Sequence, residues 1–206
     1  MILKKMLNMF TTNSYILIQD KVAVFIDPVG KIEDFIDILN RNDATLAGIV
    51  MTHCHYDHIA NLNQLTDHFD VDVYVHSSEV EMLFKPELNL SAHFSRSFTF
   101  DKPERVIAVE DNDIMSFEGI ELKVIHTPGH TPGCICLLYG KDLFTGDTLF
   151  NGSIGRTDFP SSDFNQMKIS LKKLKELDKE YKVHPGHGDS SSIGEELKIN
   201  PYLQEV

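Results

Sequence analysis

The order of hydrophobic patterns limits the fold most strongly, because strand-like runs precede a helix in each half of the chain. Apolar runs at 15–18 and 22–26 flank a polar turn and predict a hairpin. Apolar residues at 32, 35, 36 and 39 have helical spacing, and the run 46–51 predicts a strand buried on both faces. A second helix is predicted at 59–69, and alternation at 71, 73 and 75 indicates another strand.

The second half repeats this order. Alternation at 120–125 and apolar runs at 134–139 and 142–145 predict three strands. Asp163 can cap a long helix while Gln166 reaches back, and the apolar stripe of that helix is 164, 167, 171, 174 and 177. Residues 83–105 have weak periodicity and predict a surface excursion, with one helix near 77–83. We therefore expect an α/β protein with a single domain over 1–206, built as a four-layer α/β/β/α sandwich.

The composition excludes several classes of protein. The 206 residues carry a formal charge of −12 and are 42% apolar, which suits a globular domain and excludes disorder. This acidity argues against nucleic acid binding, and the longest apolar run, 134–139, is far shorter than the roughly 18 residues of a membrane span. The start of the chain does not resemble a secretion signal, and three cysteines do not make a disulfide framework.

These observations predict the setting of the protein. We expect a cytoplasmic protein with a small-molecule substrate and neither a nucleic acid nor a membrane partner, while the oligomeric state stays open. Cys54, Cys134 and Cys136 are expected to be core thiols.

Histidines and aspartates cluster in loops that follow predicted strands. The segment 52–58, with sequence T-H-C-H-Y-D-H, comes directly after the buried strand 46–51. If this loop is extended, His53, His55 and Asp57 point to one side and His58 adjoins them on the other. Later loops at 127–133, 145–148 and 183–188 each present one further candidate, namely His130, Asp147 and His187. His126 and His184 either support the ligands or are structural, with the structural role favoured, and His68, His76 and His93 are given no role.

This set of side chains predicts a site for two divalent ions. Transition metals prefer imidazole and carboxylate ligands, and a pair of ions roughly 3.5 to 4 Å apart needs a bridging carboxylate. We expect one ion on His53, His55 and His130, a second on Asp57, His58 and His187, and Asp147 between them. Zinc is the expected metal, with iron or manganese as alternatives. The positive charge left on such a site can stabilise an oxyanion and make hydroxide available near pH 7.

The segment 52–58 resembles the T-H-x-H-x-D-H signature of the metallo-β-lactamase superfamily, and His130, Asp147 and His187 match later motifs of that family. The resemblance implies the α/β/β/α fold and the ligand roles given above. It also makes antibiotic hydrolysis an unexpected task, because true β-lactamases lack a bridging aspartate. Residues 146–150 and 152–160 are similar to small glyoxalase II-like hydrolases, which cleave thioesters such as hydroxyacyl-glutathione.

Two features depart from full-length glyoxalase II. Only 19 residues follow His187, so the helical extension that contacts glutathione is expected to be missing. Asp158 stands where glutathione-cleaving members often carry an aromatic residue. Arg156 matches a basic residue that the family places beside the substrate; it either clamps a substrate carboxylate or forms a loop-fixing ion pair with Asp158, and the sequence favours neither. Phe150, Phe159 and Tyr139 could line an acyl pocket, although core packing is the default for each.

The leading hypothesis is thioester hydrolysis by metal-bound hydroxide, with Asp57 and Asp147 as catalytic carboxylates and a thiolate as leaving group. The alternative is a mononuclear Fe(II) persulfide dioxygenase, in which the counterparts of His53, His130 and Asp147 hold the iron. A nucleic-acid-processing enzyme is disfavoured by the acidic composition. A non-catalytic binding module is disfavoured because no ligand is missing.

Overall fold

Two six-stranded sheets face each other, and helices cover the outer face of each sheet. The computed structural model describes residues 1–5, 11–94 and 96–206. In chain order the first half comprises β1 (Ile2–Lys5), β2 (Ser14–Gln19), β3 (Val22–Ile26), α1 (Ile32–Arg41), β4 (Thr45–Val50), α2 (Tyr56–Ile59), α3 (Leu62–His68), β5 (Val73–His76) and β6 (Val106–Val109). These strands form one sheet in the order β1-β2-β3-β4-β5-β6, and pairing is parallel from β3 to β6.

The second half forms the other sheet. It comprises β7 (Ile114–Phe117), β8 (Ile120–His126), β9 (Ile135–Tyr139), β10 (Asp142–Gly146), β11 (Leu149–Phe150), β12 (Ser153–Ile154), α4 (Phe164–Lys175), β13 (Lys182–Pro185), β14 (Ser191–Ser192), α5 (Ile193–Ile199) and α6 (Pro201–Gln204). The sheet order is β14-β13-β10-β9-β8-β7, and β11 pairs with β12 in a separate ribbon. Between β5 and β6 lie three short 3₁₀ helices, Ser77–Phe84, Ser91–Phe94 and Pro103–Arg105.

Three separate apolar clusters hold the four layers together. In β2 the side chains alternate, so Ile16 and Ile18 pack against α1 and α3, whereas Tyr15 and Leu17 pack between the sheets. A third cluster joins the outer face of the second sheet to the last three helices, including Met167 of α4. A strand buried on both faces reads as a continuous apolar run, as the pattern of β2 and β3 does. The four-layer α/β/β/α architecture expected from the sequence is therefore confirmed.

Several details differ from the sequence-based expectations. The predicted helix at 59–69 is α3, 62–68, and it follows a separate one-turn helix, α2, which ends at Ile59. Strands β6 and β7 were not predicted: β6 is short and shows no regular alternation, and β7 buries only two residues. Asp163 caps α4 by accepting hydrogen bonds from the backbone N–H groups of Asn165 and Gln166, as expected. Phe164 was wrongly placed in the buried stripe of α4, since it is 40% exposed.

The three cysteines are buried and free, as predicted. Cys136 packs in the cluster beneath α4, and Cys54 packs in the cluster beneath α1 and α3. Within the described ranges, no helix has the length and hydrophobicity needed to cross a membrane.

Candidate metal centre

The predicted ligands lie in four loops at one edge of the two sheets. Each loop follows a strand: β4 leads to His53, β8 to the loop with His130, β10 to Asp147 and β13 to His187. The neighbouring strands β10 and β13 are parallel, so their carboxyl ends, and the ligands after them, come together. Ligand sites in α/β proteins form where the carboxyl ends of strands meet, because the loops there converge.

The first group of ligands consists of His53, His55 and His130. One nitrogen from each imidazole lies within 4.8 Å of one nitrogen from the other two, and all three residues are buried. Nδ1 of His55 is 2.8 Å from Nε2 of His130. Three imidazole nitrogens that converge in this way form a suitable set for a single divalent ion.

The second group consists of Asp57, His58 and His187. Their ligand atoms also lie within 4.8 Å of one another. Nε2 of His187 is 3.1 Å from Oδ2 of Asp57 and 3.4 Å from Nε2 of His58. His58 was expected on the opposite side of an extended loop. That expectation was wrong, because the chain turns into α2 at Tyr56 and the helical turn brings His58 towards the other ligands.

Asp147 lies between the two groups. Its Oδ1 is 3.4 Å from Nε2 of His58, and its Oδ2 is 3.5 Å from Nε2 of His130 and 3.6 Å from Nε2 of His187. Oδ1 therefore faces the second group, and Oδ2 lies between the two groups. This position is the one that a carboxylate bridging two ions would occupy.

His53, His55 and Asp147 are in the state that a cation needs. His58 and His187 differ: burial opposes their protonation, but neighbouring carboxylates raise the pKa of both, so a bound ion would displace a proton from them. Buried Nε2 of His53, Nε2 of His55 and Oδ1 of Asp147 have no hydrogen-bond partner among the described residues. Burial lowers the pKa of His53 well below its usual value and that of His55 to about 3, and neighbouring imidazoles act in the same direction. Burial opposes ionisation of Asp147, but the adjacent His58 outweighs it and lowers the pKa of Asp147 well below its usual value. Neutral imidazoles, an ionised carboxylate and unpartnered buried atoms fit divalent cations.

Two ligands are oriented by residues that the sequence analysis missed or interpreted differently. Nδ1 of His58 donates to Oδ2 of Asp27 at 2.9 Å, and Nδ1 of His130 donates to the backbone carbonyl of Arg156 at 2.8 Å. A proton held on Nδ1 leaves the Nε2 lone pair for the site. Asp27 also accepts from the backbone and hydroxyl of Thr52, at 2.8 and 2.6 Å. Its position just after β3, at the same sheet edge, was the available signal.

Glu79 joins the two loops that carry the first group, and it was also missed. Its Oε2 accepts from the backbone N–H of Cys54 at 2.7 Å, and its Oε1 accepts from that of Gly133 at 2.8 Å. The side chain is fully buried. Burial raises the pKa of Glu79 to about 7, against the effect of hydrogen bonds from Thr131 and the two backbone groups.

The loop with His187 approaches Asp147 so closely that only glycine fits before the histidine. A Cβ on Gly186 would lie 2.2 Å from Oδ1 of Asp147 and 2.9 Å from Cε1 of His58. The first sheet fixes the same loop, because Asn13 donates its backbone N–H to the carbonyl of Gly186 at 2.7 Å. Both sheets therefore set the position of His187.

A cavity of about 470 Å³ opens onto the site. It is lined by all of the predicted ligands except His53 and His58. Phe150 and Phe159 also line it, which favours the pocket alternative over the default of core packing. Tyr139 does not line it and instead donates to Oε1 of Gln19 at 2.6 Å. His93, given no role from the sequence, does line the cavity.

Arg156 lines the cavity and forms the ion pair with Asp158 that was one of its two predicted roles. Its Nε and Nη2 donate to the two carboxylate oxygens of Asp158 at 2.8 and 2.9 Å. The other histidines lie outside the ligand set, as interpreted from the sequence. His184 bonds Asp142 at 2.8 Å, and His126 stacks on His76 with ring centres 3.9 Å apart.

Comparisons with known proteins agree with this geometry. A family model described as the metallo-β-lactamase superfamily matches residues 7–187. The hydroxyacylglutathione hydrolase GloC of Haemophilus influenzae is 34% identical over 188 residues, which cover 89% of this chain and 87% of that protein.

Solved structures show the same fold. The crystal structure of the BLEG-1 B3 metallo-β-lactamase has a TM-score of 0.91 and 37% identity, covering 98% of this chain and 99% of that one. That of TTHA1623 in a di-iron-bound form has a TM-score of 0.85 and 31% identity, covering 98% of this chain and 100% of that one. This chain belongs to the metallo-β-lactamase superfamily of metal-dependent hydrolases.

Proposed function

We propose that the protein is a binuclear metal-dependent hydrolase that cleaves a thioester, either hydroxyacyl-glutathione or a related compound. The observation that carries the proposal is the position of Asp147, with its two oxygens 3.4 to 3.6 Å from nitrogens of both ligand groups. The similarity to a hydroxyacylglutathione hydrolase supports the thioester as substrate class. Zinc is the metal we propose, and the di-iron form of a solved relative supports iron as the alternative.

Divalent ions at such a site lower the pKa of bound water and stabilise negative charge on a carbonyl oxygen. The residues of this chain orient the ligand histidines and provide a proton acceptor. The backbone carbonyl of Arg156 holds Nδ1 of His130, and the carboxylate of Asp27 holds Nδ1 of His58. The Nε2 of each histidine therefore faces the site. Asp57 lines the cavity. Burial opposes its ionisation, but His58 and His187 lower its pKa, so Asp57 stays ionised and could accept a proton released there. A thiolate leaves without protonation near neutral pH, so no strong general acid is needed.

The test is thioester cleavage by purified protein loaded with zinc, iron or manganese. We expect Asp147→Ala to lower kcat/KM about a thousandfold or more, because residues that act as one unit lose most of their effect together. We also expect elemental analysis to find fewer than two ions bound to that variant. Asp37→Ala is the control, since Asp37 lies exposed on α1, and it should keep both activity and metal content. Near-wild-type thioesterase activity in Asp147→Ala would contradict the proposal.

A persulfide dioxygenase is the second candidate, because His53, His130 and Asp147 also form a two-histidine, one-carboxylate set. Oxygen uptake with glutathione persulfide and a single bound iron would favour it over hydrolysis. A chromogenic β-lactam belongs in the same panel because one solved relative is a B3 metallo-β-lactamase. We expect the thioester to be cleaved and the other two substrates to be inert.

A further inference from the structure

The cavity over the candidate metal site is mostly apolar apart from the ligands. Nine of its lining residues are not predicted ligands, and seven of these are aromatic, aliphatic or proline. The other two are His93 and Arg156. An apolar wall next to the reacting groups favours a substrate that buries hydrocarbon there.

The one arginine that lines the cavity is already paired. Arg156 donates two hydrogen bonds to Asp158, and its guanidinium lies 4.5 Å from the ring centre of Phe159. In the part of the chain that the structure describes, no other lysine or arginine lines the cavity. Arg156 and Asp158 are both largely exposed, so the pair marks the solvent side of the cavity, and a charged thiol carrier such as glutathione is best placed there. The group left for the cavity is the acyl group.

One wall of the cavity is formed by Leu90 and Phe94. The backbone conformation of Leu90 and the exposure of Phe94 are both unfavourable for the stability of the fold. Phe94 ends the 3₁₀ helix Ser91–Phe94 and is 52% exposed, and its ring centre lies 6.0 Å from that of buried Tyr56. Leu90 has a φ of +66°, in the left-handed region that leucine rarely adopts. Backbone strain and an exposed aromatic side chain at the same cavity indicate a binding surface.

We propose that the cavity binds an apolar acyl group and that Leu90 and Phe94 determine specificity for it. The inference rests on the proposed thioester hydrolysis. It changes the expected acyl group of the substrate from a hydroxyacyl group to a hydrocarbon chain. Each methylene buried against such a wall should raise kcat/KM about fourfold until the cavity is filled.

The experiment measures kcat/KM for acetyl, butanoyl, hexanoyl and lactoyl thioesters of N-acetylcysteamine with the metal-loaded full chain. We expect a rise from acetyl to hexanoyl and a lactoyl value below that of butanoyl. Repeating the hexanoyl measurement with glutathione as the thiol should change kcat/KM less than threefold, because the part of the carrier beyond its sulfur faces solvent.

Phe94→Ala tests the wall itself. It should lower the hexanoyl-to-acetyl ratio of kcat/KM about tenfold, and a ratio is insensitive to the fraction of active protein. Phe164→Ala is the matched control, since Phe164 is also an exposed aromatic residue but does not line the cavity, and it should leave the ratio unchanged.

The two proposals fail in different ways. A flat acyl series, a preference for lactoyl, or an unchanged ratio in Phe94→Ala would overturn the specificity inference while leaving thioester hydrolysis intact. If the metal-loaded wild type cleaves none of the thioesters, the proposed function is wrong and the inference with it.

Discussion

At the scale of single residues, Glu79 is a buried carboxylate with no cationic partner among the described residues, and it holds two ligand loops together. It accepts one backbone hydrogen bond from the loop with His53 and His55, and one from the loop with His130. A buried carboxylate without a cation is costly when ionised, which is why burial raises the pKa of Glu79 to about 7. The same group that positions the loops therefore makes stability depend on pH.

We predict that metal-free protein loses stability through Glu79 as the pH rises from 4.5 to about 7. In this window folded Glu79 holds its proton while the unfolded side chain, with its usual pKa near 4.5, has lost it, so the free energy of unfolding falls. The full contribution is about 3 kcal/mol. Urea unfolding of wild type and Glu79→Gln across this range checks it, because the glutamine variant lacks this slope. Parallel stability curves for the two proteins would show that Glu79 does not titrate in this way.

Residues that carry chemistry could be found from the sequence, whereas those that position them could not. His53 to His58 stand in a compact motif after an apolar run, so residue type and spacing reveal them. Asp27 and Glu79 each lie 25 residues from their partners in that motif, as the hydrogen bonds to Thr52 and Cys54 show. The place of Asp27 just after a predicted strand was a weak signal, and a lone acidic residue such as Glu79 carries no sign of so distant a contact.

At the scale of elements, α4 supports the loop that carries His130. Asp163 donates its backbone N–H to the carbonyl of Gly129 at 2.8 Å, and Ser170 donates its hydroxyl to the carbonyl of Pro128 at 2.6 Å. Gly129 has a φ of +143°, and a Cβ there would lie 2.5 Å from the backbone of Met167. The helix and the loop are therefore in backbone contact next to a ligand.

We predict that Gly129→Ala weakens metal binding at least about tenfold and lowers the free energy of unfolding by about 2 to 4 kcal/mol, because α4 and the loop must separate. Gly140→Ala is the control. It also has a positive φ, +59°, but a Cβ there meets nothing within 4 Å. It should lower stability by only about 1 kcal/mol and keep the metal affinity. Calorimetric titration with zinc and urea unfolding check both variants, and equal metal affinities would argue against this role of α4.

The elements themselves were predictable where their patterns were long. The ten-residue helix α1 and the twelve-residue helix α4 follow from apolar spacing and, for α4, from its cap. The four-residue turn of α2 was read as extended loop, since four residues show no helical period, and this reversed the expected side of His58. The contacts that hold α2 against the rest of the site are long-range; for example, Thr12 donates its hydroxyl to the carbonyl of Asp57 at 3.0 Å.

At the scale of the whole molecule, the site belongs to both sheets. The first sheet and its loops supply the ligands in 53–58, and the second supplies His130, Asp147 and His187. Without a cation, the two groups place two carboxylates and several unpartnered buried atoms together. A bound ion should therefore stabilise the folded chain.

We predict that a chelator lowers the melting temperature and that added zinc, iron or manganese restores it. At a free metal concentration of about a hundred times Kd, the stabilisation is about 2.7 kcal/mol, or about 5 to 10 °C for a chain of this size. Differential scanning calorimetry over a range of metal concentrations checks this. Asp147→Ala should show a much smaller response, and an equal response in both proteins would place the stabilising ion elsewhere.

The division of the ligands between the two sheets also bears on how long the folded state lasts. A cation can be fully coordinated only after both halves have formed and docked, so its contribution is missing from early steps of folding. Interactions absent from the transition state slow unfolding and leave the folding rate nearly unchanged. Divalent ions should therefore extend the lifetime of the native protein rather than speed its formation, which gives the metal a role in kinetic stability as well as in catalysis.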